Sequence, residues 1–171
     1  MKRNILPFVV LALLCLGYLL FVSATASQMP ERVAMHFGLT GHADGWASRH
    51  GAAAFFIGMG WGVAVLFVVF GSVMKWMPNW TFNLPNRDYW LAPERRAETI
   101  EIISRQLTWL ASVMVLFFYG LYGLTILANR ATPAQLPMNL FLCLLVMFLL
   151  FIGVWSMGFI RYFGKRPTGR V

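Results

Sequence analysis

Charge is what this sequence has least of. Asp, Glu, Lys and Arg make up 12% of its 171 residues, about half the share of an ordinary soluble domain. None of them, and no histidine, interrupts four apolar runs at about 5–24, 54–74, 107–127 and 138–160. Each run is long enough to cross a hydrocarbon core of about 30 Å as a helix. A backbone in lipid must pair its own polar groups, so the runs read as helices rather than irregular chain. The missing intramembrane charge argues against a proton-coupled small-molecule transporter, which places an ionisable side chain at membrane depth. Transport therefore stands as a disfavoured alternative.

Cysteine is nearly absent as well. Cys15 and Cys143 both fall inside apolar runs, which leaves no disulfide framework, no Cys-rich metal site and no Cys-His nucleophile outside the membrane. No Ser-His-Asp set is apparent. The glycine-rich "GMGWG" lies within the second run and reads as helix packing rather than a phosphate loop.

What charge there is falls in blocks. Lys2 and Arg3 precede the first run; Lys75, Arg87, Arg95, Arg96 and Arg105 lie between the second and third; Arg161, Lys165, Arg166 and Arg170 follow the fourth. Only Arg32, Arg49 and Arg130 fall on the other side. The positive-inside rule then puts both termini and the 75–106 loop in the cytoplasm and the 25–53 loop outside. The formal charge of +8 is thereby assigned to topology and to the lipid bilayer's anionic headgroups, with no nucleic acid expected. Ala24-Thr25-Ala26 resembles a signal-peptidase site, but the run before it exceeds the 7–15 residues of a signal core. An uncleaved first helix is expected. The fold class is an all-α membrane protein: four transmembrane helices with a small extracytoplasmic cap between the first two, one membrane domain over 1–171.

The outside loop holds every histidine: His36, His42 and His50. "ERVAMHF" alternates Val33, Met35 and Phe37 against Arg32, Ala34 and His36, the period of an extended segment. "GLTG" and "ADG" are turn chemistry. Together they predict an ordered cap. Ala54, Gly58 and Gly62 repeat at four-residue spacing and predict close helix packing, inside the bundle or across a homodimer.

The cytoplasmic loop carries Trp76, Trp80, Tyr89 and Trp90, placed as an interfacial aromatic belt. "LPNRD" predicts a Pro-Asn turn through Asn86, Arg87 and Asp88. Pro93 suits the first position of a helix with Glu94 near its positive end. From Pro93, Glu94 and Arg95 the chain is expected to run as one helix into the third span, with Glu101 and Arg105 as an i,i+4 pair. The tail "RYFGKRPTGRV" is expected to be disordered at the inner surface.

"MPERVAMHFGLTGHADGWASRH" resembles the signature of the bacterial membrane family catalogued as domain of unknown function 1648. Pro30, His36, Phe37, Gly41, Asp44, Gly45, Trp46 and Arg49 carry the match. "NLPNRDYWLAPERR" resembles a segment that follows the second span in many members, with Asn86, Arg87, Asp88, Tyr89, Trp90, Pro93, Glu94 and Arg95. The family is distantly similar to larger immunity proteins against a sporulation-delaying peptide toxin. The resemblance implies an integral protein of the bacterial inner membrane whose outside loop matters. The expected function is recognition, immunity or signalling through that loop, with a peptide or protein partner and no resident cofactor.

Two other readings rest on the histidines. His36, His42, Asp44 and His50 offer nitrogen and oxygen ligands to a zinc-like ion, an extracytoplasmic metal site with an enzymatic variant. Their spacings of six and eight match no established zinc motif. An extracytoplasmic cluster would also gain charge on acidification and sense protons. The last alternative is the plainest, with His42 and His50 as solvated loop residues.

Overall fold

The structure is a computed structural model and describes residues 5–165. Lys2, Arg3, Arg166 and Arg170, and with them the end of the tail expected to be disordered, lie outside the described residues. Four helices are long and apolar enough to cross a membrane: α1 (Leu6–Ala26), α2 (Arg49–Val73), α4 (Arg96–Arg130) and α5 (Met138–Gly164). A hairpin of β1 (Arg32–Phe37) and β2 (Ala43–Ser48) separates α1 from α2, and the single-turn α3 (Arg87–Trp90) precedes α4. The chain is a helical integral membrane protein with a small sheet at one end.

Three of the helices form the core. α1, α2 and α4 enclose Leu11, Cys15, Tyr18, Val22, Phe56 and Tyr122. Two tyrosines set the spacing. The Tyr18 ring lies over Gly60, where an added Cβ would come within 2.4 Å of it, and its hydroxyl donates to the Phe56 carbonyl at 2.9 Å. The Tyr122 ring meets Phe56 and Phe21 edge-on. Its hydroxyl donates to the Val22 carbonyl at 3.3 Å and lies 3.0 Å from the Thr25 hydroxyl. Buried hydroxyls with partners cost little, whereas an unpaired one costs about 1–3 kcal/mol. Both tyrosines are therefore stable cross-helix ties.

The helix that stands apart is α5. None of its most apolar stretch is buried. It touches α4 where Phe148 stacks on Phe117 with centroids 4.3 Å apart, and where the Trp155 indole donates to Gln106 at 3.2 Å. Its ends are tied more firmly. The Asn86 amide donates to the carbonyls of Phe163 and Gly164, and the Trp90 indole donates to Phe163 at 2.8 Å. These bonds satisfy two of the last carbonyls that a helix leaves open. Asn86 reaches them from a left-handed conformation, φ 54°, in the turn that "LPNRD" predicts.

Helix boundaries depart from expectation in two places. The hairpin runs straight into α2, whose first turn holds Arg49, His50 and Gly51, with the Ser48 hydroxyl accepting from the Gly51 N–H at 3.1 Å. Hydropathy alone had placed these polar residues in the loop. At the other end α4 begins at Arg96, so Pro93 sits in the turn before the helix rather than at its first position. The reason lies in that turn's partners. Arg96 donates to the carbonyls of Lys75 and Met77 and to the Asn79 side chain, and the Thr99 hydroxyl donates to the Trp90 carbonyl at 2.7 Å. Residues 75–95 thus fold back onto α4. Among the described residues, Glu101 and Arg105 make no ion pair.

Of the two expectations for the small-residue stripe, packing inside the bundle is not the one the helices use. Ala54, Gly58 and Gly62 are exposed, and a Cβ at Gly58 or Gly62 would meet nothing within 4 Å. The contacts within the bundle use the adjacent face, with Ala52, Phe56, Gly60 and Ala64 buried. Gly60→Ala should therefore destabilise the protein by about 1–3 kcal/mol through overpacking. Gly58→Ala should leave thermal unfolding in detergent within about 0.5 kcal/mol of the parent. Equal effects would show that the Tyr18–Gly60 contact does not set the α1–α2 distance.

Candidate functional site

The hairpin end gathers the chain's unusual residues. β1 and β2 pair antiparallel, with Ala34 opposite Trp46, His36 opposite Gly45 and Phe37 opposite Ala43. That register skips Met35 on one strand and Asp44 on the other, two bulges that offset each other. A bulge re-aims a side chain, and here the Asp44 carboxylate accepts a hydrogen bond from His36 Nδ1. Gly45 is the residue that permits it, because a Cβ there would lie 2.7 Å from the His36 Cβ. The pair is exposed, 76% for His36 and 54% for Asp44, so it contributes at most about 1 kcal/mol to folding. Its consequence is orientation. With Nδ1–H committed to Asp44, the neutral ring keeps Nε2 as an acceptor.

Three sets of backbone bonds hold the hairpin down. The Asn129 side chain, at the end of α4, accepts from the Ala34 N–H at 2.8 Å and donates to the Ala34 carbonyl at 3.0 Å. It behaves as one residue of a third strand. At the tip, Leu136 N–H donates to the Gly41 carbonyl at 2.8 Å and Ala43 N–H to Ala134 at 3.4 Å, so the α4–α5 connection pairs with the turn around His42. Gly41 has φ +83°, and a Cβ there would approach the Leu136 carbonyl to 2.9 Å. At the base, Arg49 N–H donates to the Glu31 carbonyl. Val33 and Ala34 are fully buried. The alternation expected of β1 therefore fails at Ala34, whose backbone faces Asn129.

Beneath the hairpin lies an apolar groove of about 610 Å³. Phe55 and Phe56 of α2, Phe118 and Leu121 of α4, and Phe141 and Leu142 of α5 form its sides, and Met35, His36 and Phe37 its roof. It exists because α5 is tied at its ends and held off α2 between them. Leu39, fully exposed at the hairpin tip, stands at its edge.

The sequence-chosen residues divide accordingly. His36, Phe37, Asp44, Gly45 and Gly41 converge on the groove's roof and its anchorage. Trp46 is 46% exposed, with the Arg32 guanidinium 6.0 Å from its ring. Pro30 lines a smaller cleft between α1 and α4 with Arg130. The four ligand candidates do not converge: His42 is held in the tip bridge, His50 is exposed on α2, and among the described residues no three His, Cys, Asp or Glu side chains are grouped to hold a metal ion. In the second motif Asn86 and Trp90 tie down α5, Arg95 stacks on Tyr89 at 4.2 Å, and Arg87 pairs loosely with Asp88. Pro93, Glu94 and Arg95 are exposed. Asn129, Arg96 and the groove-lining residues of α4 and α5 were not singled out by sequence. An amide just before Arg130, at the end of an apolar run, was the one available signal.

Asn129→Leu removes both bonds to a buried backbone and should cost about 2–4 kcal/mol. Hydrogen exchange at the Ala34 amide should then rise toward that of an open strand. Unchanged protection of Ala34 would refute the tie between hairpin and α4.

Neither a curated protein nor a solved structure matches the chain. The segment that includes most of α1, the hairpin and the first half of α2, residues 11–60, matches the family model described as Domain of unknown function (DUF1648).

Proposed function

We propose that this is a recognition protein of the bacterial inner membrane, with both termini cytoplasmic, and that its groove under the hairpin receives the apolar segment of a membrane-active peptide. The observation that carries the reading is the join of an apolar groove to one polar pair at its roof. A volume of about 610 Å³ is in the range of sites that enclose a small ligand. The walls suit leucine- or phenylalanine-like side chains. At the roof, His36 Nε2 offers an acceptor and Asp44 a negative charge. A peptide amine, N-terminal or lysyl, complements both. The roof is also rigidly built, tied to α4 and to the α4–α5 connection, as a recognition surface must be to discriminate.

Two experiments test this. Membrane-impermeant maleimide should label Leu39→Cys in intact cells and Trp80→Cys only after the membrane is opened. The reverse order would overturn the orientation. A photoreactive phenylalanine at Leu142 should yield a peptide adduct of one defined mass, reduced at least about tenfold by His36→Ala, the loss of one charge-assisted contact. The same probe at Met147, 64% exposed and about 140° round α5 from Leu142, should give phospholipid adducts only. Phospholipid adducts at both positions would sink the peptide reading.

A further inference from the structure

The end of the bundle away from the hairpin holds a second cavity, of about 580 Å³. Phe8 on the first turn of α1, Lys75 just past α2, and Arg96, Ile100, Ser104 and Arg105 of α4 line it, with Glu101 as its one carboxylate. Three cations against one anion leave the cavity strongly positive. None of the three is neutralised within the described residues. All the bonds of Arg96 go to uncharged oxygens, those of Lys75, Met77 and Asn79. Lys75 and Arg105 make no ion pair, and the Lys75 ammonium rests 4.3 Å above the Trp76 ring.

Position identifies the kind of anion. Trp76 and Trp80, 71% and 75% exposed, follow α2 directly and mark the level at which aromatic rings meet headgroups. The cavity lies at that level, and its wall continues into apolar surface through Phe8, Ile100 and Ala97. A soluble anion would use only the cationic half. A molecule with a phosphate and attached acyl chains uses both.

We propose that this cavity is a binding site for an anionic phospholipid, with the headgroup phosphate held by Lys75, Arg105 and the unused N–H groups of Arg96, and the acyl chains lying along α1 and α4. The site is independent of the groove under the hairpin. Lipid at this site would also brace the loop that Arg96 pins, since the same guanidinium serves both.

The test uses the full-length protein in nanodiscs of phosphatidylcholine doped with phosphatidylglycerol, with retained lipid weighed by native mass spectrometry. The wild type should retain phosphatidylglycerol in strong preference to phosphatidylcholine. Lys75→Gln with Arg105→Gln should lower that affinity on the order of ten- to thirty-fold, as expected for two cations at the headgroup level. Arg87→Gln with Arg161→Gln removes the same formal charge from the same end, outside the cavity, and should leave it within about twofold. Thermal unfolding in pure phosphatidylcholine checks that each variant is folded; should the first double variant be unfolded, Lys75→Gln alone, at an exposed position, is read instead. No preference in the wild type, or equal loss in both double variants, would overturn the proposal. So would displacement of the lipid by millimolar inorganic phosphate, which would mark a site for a free anion.

Discussion

In apolar surroundings every backbone N–H and C=O must find its partner within the chain. The long helices meet that demand along their length and leave it unmet at their ends. Nearly every specific side chain in this protein sits where such a gap opens. Asn86 and Trp90 answer the last carbonyls of α5, Arg96 answers the carbonyls after α2, and Ser48 answers the start of α2. The two-stranded hairpin presents the hardest case, since a sheet of two strands has two open edges. Asn129 closes one at Ala34, and the α4–α5 connection closes the other near Gly41 and Ala43.

This bonding pattern decides where α5 lies. Its two ends are fixed by polar contacts to other elements, while its middle meets α4 at a few side chains. An apolar helix gains little by packing on apolar neighbours when lipid is the alternative. Its placement is therefore set by the ties at its ends, and the gap left beside α2 is the groove. Roof and wall share one anchorage, because the connection that pairs with the hairpin tip is also the start of α5. Anything that shifts the hairpin must move the upper end of α5 with it.

Hydropathy made the spans legible, since runs free of charge over some twenty residues have one solution in a bilayer. The period of two in "ERVAMHF" predicted β1 for a good reason: Val33 packs inward and His36 points out. β2 was hidden because "ADGWAS" carries turn residues, and Asp44 and Gly45 serve there as a bulge and a gap for His36 instead of a turn. The four-residue stripe of Ala54, Gly58 and Gly62 was visible, but which face of a uniformly apolar helix turns inward was not. That face was decided by Tyr18 lying on Gly60. Pairings of residues far apart in the chain, Asn129 with Ala34 or Arg96 with Met77, leave no local pattern to read.

The two cavities differ as the two ends of the molecule differ. At the hairpin end many of the polar groups are spent on one another, and the outer nitrogen of His36 stands over apolar walls. At the far end the Asn86 amide and the Trp90 indole serve the carbonyls of α5, but those that follow α2 are satisfied by a cation, Arg96. A cation brings a full charge that a carbonyl only partly offsets. Lys75 and Arg105 add to it, and Glu101 is too little to balance them. The same structural task, closing backbone gaps at a helix end, thus leaves one end nearly neutral and suited to an apolar ligand. It leaves the other with a surplus of charge that an anion from the surrounding bilayer is placed to meet.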